Sequence, residues 1–149
     1  MDHPGRRVGQ GNGAGPQIWA LVSTPILNMM RAEGFNVMFK MAISGKEIKF
    51  VGYAFMDDTD LVVNVNDKEA DSKQVAQRMQ EALDHWEGGL RATGGAIVPE
   101  KSYWYLVDFQ WKQGEWRYAM KEEAPAMVYV RDPEGVWQTL ERLGVKEAR

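Results

Sequence analysis

Two adjacent carboxylates, Asp57 and Asp58, lie in the stretch Tyr53-Ala54-Phe55-Met56-Asp57-Asp58-Thr59-Asp60, with a third at Asp60. Like charges a few ångströms apart disfavour joint ionisation, so such a pair costs free energy unless it is solvated or holds a cation. A hard divalent ion such as Mg²⁺ or Mn²⁺ takes oxygen ligands and would remove that penalty. Aspartate is also a common turn residue, and a solvated turn accounts for the pair without an ion. Both readings stand on these residues alone. Composition removes other chemistries. The chain has no cysteine, which excludes thiolate metal sites, cysteine nucleophiles and disulfides. His3 and His85 are its imidazoles, too few and too far apart in sequence to suggest a zinc site or a catalytic triad.

The flanks of the acidic stretch alternate apolar or β-branched residues over Lys46 to Phe55 and again over Leu61 to Val65. That pattern predicts a hairpin of two strands with the carboxylates at its turn. Upstream, Asn36 to Ile43 reads as another strand. Ser44-Gly45-Lys46 is a hairpin turn through which it pairs antiparallel with the strand that reaches Phe55. Before it, Pro16 suits the first turn of a helix running to about Ala32, with Ile18, Leu21, Val22, Pro25, Ile26, Met29 and Met30 as its apolar stripe. Pro25 should kink that helix. The first fifteen residues are Gly-rich and basic, which means either disorder or a backbone that must come close to something.

Beyond the hairpin, Asp71 or Ser72 caps a helix over Lys73 to Thr93, whose Val75, Met79, Ala82, Leu83, Trp86 and Leu90 recur at helical spacing. Gln77, Gln80, Glu81, Asp84 and Glu87 read as its solvated face, and Gly94-Gly95 stops it. His85, beside the apolar stripe, reads as structural. The strand Ser102 to Trp111 alternates Tyr103, Tyr105, Val107, Phe109 and Trp111 with Trp104, Leu106 and Asp108. Its aromatics suit a core better than a base-stacking surface. Lys112-Gln113-Gly114-Glu115 closes a hairpin returning over Trp116 to Met120. Ala126 to Val130 and Val136 to Leu143 flank the turn-former Asp132-Pro133-Glu134-Gly135 and make a second hairpin, with a helix over Val136 to Leu143 as the alternative.

With 149 residues, 44% hydrophobic and 26% charged, the chain reads as one soluble globular domain or a piece of one. No window is apolar enough to span a membrane and no signal peptide is visible. An intracellular location follows, nuclear or cytoplasmic alike. A net charge of -3 argues against a self-sufficient nucleic-acid binder. A catalytic piece whose carboxylates hold metal, while other segments bind phosphates, fits that charge. Apolar strands with two amphipathic helices to cover them predict an α+β domain, with helices packed on one face of an antiparallel sheet and the Lys46 to Val65 hairpin at its centre.

The order of these parts resembles the palm of a reverse transcriptase, an RNA-directed DNA polymerase, of the retrotransposon type. Gln10-Gly11 through the helix beyond Pro16 is similar to motif B, Phe55-Met56-Asp57-Asp58 to motif C, and Leu90 to Lys101 to motif D. The resemblance spans Gln10 to about Phe109, and the ordered combination is far more specific than any one part. It makes residues 1–149 a partial palm domain: a Gly-rich loop at 1–15, the motif B helix at 16–33, the acidic hairpin at 46–65, a helix at 71–93 and β-hairpins over 101–143. It implies phosphoryl transfer assisted by two Mg²⁺ ions, with template-primer nucleic acid and a deoxynucleoside triphosphate as partners. Asp57 would share both metals and Asp58 would be a weaker contributor. Phe55 and Met56 would lie under the primer terminus, and Gln10 and Gly11 would line the nucleotide or template. Lys101 would protonate the pyrophosphate; a solvated strand end is its plain alternative.

The family's motif A carries another metal-binding Asp on a strand before motif B, and only nine residues precede Gln10 here. Fingers and a complete thumb are missing as well, so the sequence reads as a fragment that is inactive alone. Two other classes stay open. Nucleotide cyclases share an acidic palm hairpin, although their Gly-Gly-Asp/Glu turn is not found at Asp57. A non-catalytic interaction module could keep the palm sheet.

Overall fold

The computed structural model describes residues 15–55 and 58–147, the Phe55 side chain apart. They form two compact units that divide between Val62 and Val63. The architecture is mixed α and β, with two helices and small two-stranded sheets, most of them antiparallel. One continuous sheet was expected, and five separate two-stranded ladders are found among the described residues.

The first unit begins with helix α1, Gly15–Ala32, which runs through Pro25. Ser23, Ile26 and Met30 form its buried side, while Ile18, Leu21 and Met29, placed in the same apolar stripe by sequence, are exposed. The helix ends because Gly34 adopts φ 84°, letting Phe35 N–H reach the Met30 carbonyl at 3.0 Å and Gly34 N–H reach that of Arg31 at 3.2 Å. This is the Schellman arrangement, which consumes otherwise orphaned helix carbonyls. Strands β1, Val37–Lys40, and β2, Glu47–Phe50, then pair antiparallel around a turn in which Gly45 has φ 65°.

The strand expected over Lys46 to Phe55 breaks at Val51. Its second half, β3, Gly52–Phe55, pairs with β4, Asp58–Leu61. Asp58, Thr59 and Asp60, placed in the turn by sequence, are therefore strand residues, and the return strand lies earlier than Leu61 to Val65. Ladder pairing overrides the turn preference of aspartate here because cross-strand partners are available right up to Phe55 opposite Asp58.

In the second unit, helix α2, Ser72–Ala92, starts at a capping box. The Asp71 carboxylate accepts from Gln74 N–H at 2.8 Å, and Gln74 Oε1 accepts from Asp71 N–H at 2.8 Å. It ends as α1 does, with Gly94 at φ 84° and Gly95 N–H on the Leu90 carbonyl at 2.8 Å. A short 3₁₀ turn, Pro99–Lys101, leads into β5, Tyr103–Tyr105. Strands β6, Phe109–Lys112, and β7, Glu115–Tyr118, form a hairpin whose two connecting residues, Gln113 and Gly114, both have positive φ. Such a primed turn matches the right-handed strand twist. Strands β8, Tyr129–Arg131, and β9, Trp137–Thr139, form the second hairpin around Asp132 to Gly135.

Val136 to Leu143 is neither one strand nor a helix. It breaks at buried Leu140, whose N–H donates to the Val128 carbonyl at 2.8 Å, and resumes as β10, Glu141–Leu143. Strand β10 pairs parallel with β5, which makes region 101–143 two hairpins plus one long-range parallel pair.

Trp104, Leu106, Ala76, Ala119, Ala124, Val128, Val130 and Leu140 build the core of this unit. Tyr103, Tyr105, Val107, Phe109 and Trp111, read from sequence as core, are all exposed. Alternation along the chain put one side inward as expected, but that side is the one with Trp104 and Leu106.

The face of α2 read as solvated is partly a docking surface. Gln80 brackets Tyr129 of β8, accepting from its N–H at 2.7 Å and donating to its carbonyl at 2.9 Å. Glu87 is buried and accepts from Arg131 Nε at 2.7 Å and Arg91 Nε at 2.8 Å. The edge of β8 away from β9 is thereby satisfied by helix side chains rather than by another strand.

Candidate functional site

The β3–β4 hairpin positions the candidate carboxylates. Its register sets Gly52 opposite Leu61, Tyr53 opposite Asp60, Ala54 opposite Thr59 and Phe55 opposite Asp58. One further bond, Val62 N–H to the Val51 carbonyl at 2.8 Å, extends the ladder beneath buried Val51. Side chains alternate across a strand, so Asp58 and Asp60 share the exposed face of β4 while Thr59 and Leu61 share the half-buried one. Two residues along a strand separate the two Cα atoms by roughly 7 Å. The hairpin is anchored at one end by Val51 and carries its carboxylates toward the other, where they meet solvent.

Gly52 is the residue that sequence reading missed. A Cβ added there would fall deep inside the contact distance of the Asp60 carbonyl oxygen, and 3.1 Å from Leu61 Cα. Only a residue without a side chain lets β3 and β4 approach this closely. The signal was in the sequence, since a lone glycine inside a strand pattern marks a bulge or a close backbone approach.

Of the predicted site residues, the structure brings Phe55 and Asp58 together as the last cross-strand pair. Gln10, Gly11, Met56 and Asp57 lie outside the described residues. Lys101 is exposed at the end of the 3₁₀ turn in the second unit, where its N–H donates to the Val98 carbonyl at 3.1 Å. His85 sits on α2 with Nδ1 2.8 Å from the Glu81 carbonyl oxygen, a local helix contact that fits its structural reading.

Among the described residues, no three or more His, Cys, Asp or Glu side chains gather into a metal-binding group. Asp58 supplies carboxylate oxygen at an exposed position, which suits a hard cation that keeps most of its water. Asp60 offers the same donor on the same face. A buried carboxylate of the second unit, Glu87, serves packing. Burial raises the pKa of Glu87, but its hydrogen bonds to Arg91 and Arg131 outweigh that and hold it below the usual value. Among the described residues, no helix is long and apolar enough to cross a membrane. No family model matches the chain, and neither a curated protein nor a solved structure matches it.

Proposed function

We propose that this chain is part of the palm of a retroelement reverse transcriptase, and that in the whole polymerase it contributes to template-directed DNA synthesis. The observation that carries the reading is the sequence order of Gln10-Gly11 before a helix, Phe55-Met56-Asp57-Asp58 with Phe55 and Asp58 as the last pair of two antiparallel strands, and Lys101 after a second amphipathic helix. A tight hairpin that brings a carboxylate to its exposed end is the element such an enzyme needs, and β3–β4 is consistent with that role. Bound Mg²⁺ would lower the cost of deprotonating the primer 3′-hydroxyl and neutralise charge on the leaving pyrophosphate.

The chain's own residues divide that work. Asp57 and Asp58 would hold the ions, and Phe55 and Met56 would support the primer end. Gln10 and Gly11 would line the nucleotide or template, with Gly11, which has no side chain, leaving room for a base pair to approach the backbone. In the whole polymerase, the resemblance would make Lys101 the proton donor to the leaving pyrophosphate.

The resemblance places a further metal-binding aspartate on a strand before motif B, and Asp2 is the aspartate that precedes Gln10 in the 149 residues. The test is primer extension on an RNA template. The isolated chain should incorporate no nucleotide. A fusion that supplies a strand-borne Asp and a basic fingers segment upstream of Met1 should gain template-dependent incorporation that Asp57→Asn abolishes. Incorporation that survives Asp57→Asn would refute the assignment.

A further inference from the structure

The β6–β7 hairpin presents Phe109, Trp111, Trp116 and Tyr118, exposed by 51%, 60%, 67% and 50%. Phe109 is paired with Tyr118 and Trp111 with Trp116, so all four rings stand on one face of the ladder. They are already packed on each other, with centroids 4.7 Å apart in the first pair and 5.4 Å in the second. Little side-chain freedom is left to lose on covering them. The opposite face carries Gln110, Lys112, Glu115 and Arg117.

From this face we infer that the chain associates with a second copy of itself through its β6–β7 aromatic surfaces. Charge decides against a polyanion. Lys112 is paired with Glu123 and Arg117 with Glu115, so both cations of the hairpin are engaged and the aromatic face itself bears no charged side chain, while phosphate contacts dominate nucleic-acid affinity. Two cavities of this unit, about 200 Å³ beside Arg142 and about 460 Å³ beside Gln80, are lined by none of the four aromatics. What fits is another flat, neutral aromatic surface, and a second copy of this face supplies one with no like-charge repulsion across it.

The area sets the strength. An aromatic side chain can bury about 150–250 Å², so four half-exposed rings offer on the order of 400 Å² per copy. Exposed Val107 and Met120 flank them. A total near 1,000 Å² is the low end for specific interfaces and implies a weak, reversible dimer.

The test is sedimentation of the full chain across a concentration series, with hydrogen exchange measured at both ends of the series. A reversible monomer–dimer equilibrium is expected, with added protection at high concentration confined to Phe109 to Tyr118. Trp116→Ser should weaken the dimer by roughly tenfold or more, as loss of a central aromatic anchor does, while Leu21→Ser on α1 leaves it unchanged. A monomer at every concentration, protection gained elsewhere, or loss of the dimer with Leu21→Ser would overturn the inference. So would single-stranded oligothymidylate that dissociates the dimer while protecting the same amides, since a nucleic acid would then be the occupant. The exchange measurement needs no variant, so the inference stays testable if Trp116→Ser fails to fold. Its outcome is independent of whether the polymerase reading holds.

Discussion

Gly52 and the Asp60 carbonyl oxygen face each other across β3 and β4 at a separation that leaves no room for a Cβ. The obstacle is backbone rather than the end of a flexible side chain, so relief requires the hairpin to spread and break its ladder. Gly52→Ala should therefore destabilise the first unit by about 3 kcal/mol, the range of severe overpacking. Gly88, exposed on α2 with nothing within 4 Å of an added Cβ, is the control. Gly88→Ala should stabilise by up to about 1 kcal/mol, because a helical glycine carries excess backbone entropy when unfolded. Urea unfolding of both variants checks the pair, and equal effects would contradict the packing account.

Glu87 predicts a specific acid sensitivity. Burial opposes its charge, but Arg91 and Arg131 hold its pKa below the ordinary 4.5. The unfolded chain thus takes up a proton at higher pH than the folded chain, and stability rises with pH in that interval. The contribution is fully present above about pH 4.5 and is lost as pH falls through the lowered folded value. Glu87→Gln should flatten this part of the pH–stability curve. Glu87→Ala should cost about 3 kcal/mol near neutral pH, since it strips two guanidinium groups of their buried acceptor. A curve below pH 4.5 that Glu87→Gln leaves unchanged would rule this out.

In the fused polymerase described above, Lys101→Ala should slow incorporation by roughly a hundredfold, the contribution of a general acid. Asp57→Asn should abolish incorporation altogether. Single-turnover rates at saturating nucleotide check the difference. A Lys101→Ala enzyme with unchanged rate would return Lys101 to the solvated strand end that its exposure also allows.

Local signals were the legible ones. Pro16, Asp71 and Gly94 mark helix ends by chemistry confined to a few residues, and both helices lie close to where those residues place them. The turns at Gly45, Gln113-Gly114 and Asp132 to Gly135 were legible for the same reason. Non-local pairings were not. Glu87 looks like any solvated helix carboxylate until its partner Arg131, 44 residues on, is known. Nothing near Glu141 to Leu143 announces a parallel partner at Tyr103 to Tyr105. Alternation showed that one side of the Tyr103 to Trp111 run is buried, but aromatic content misled the choice, because Trp104 and Leu106 pack among small alanines and leave the larger aromatic set outside. At the candidate site, the hairpin was legible and the placement of Asp58 and Asp60 within β4 was not, since aspartate is a turn residue by local preference.

If the carboxylates of the Asp57-Asp58 hairpin hold a divalent cation, thermal unfolding with and without Mn²⁺ reports it. An ion that binds the native state alone stabilises it by mass action, about 1.4 kcal/mol when its concentration is ten times its dissociation constant. Two or three carboxylates with water completing the shell bind weakly, so millimolar Mn²⁺ is the range to use. Wild type should melt at higher temperature with Mn²⁺, and Asp57→Asn should abolish that shift while slightly raising the melting temperature of the metal-free protein. No Mn²⁺-dependent shift in wild type, or a shift that survives Asp57→Asn, would contradict the account and leave this hairpin a solvated loop.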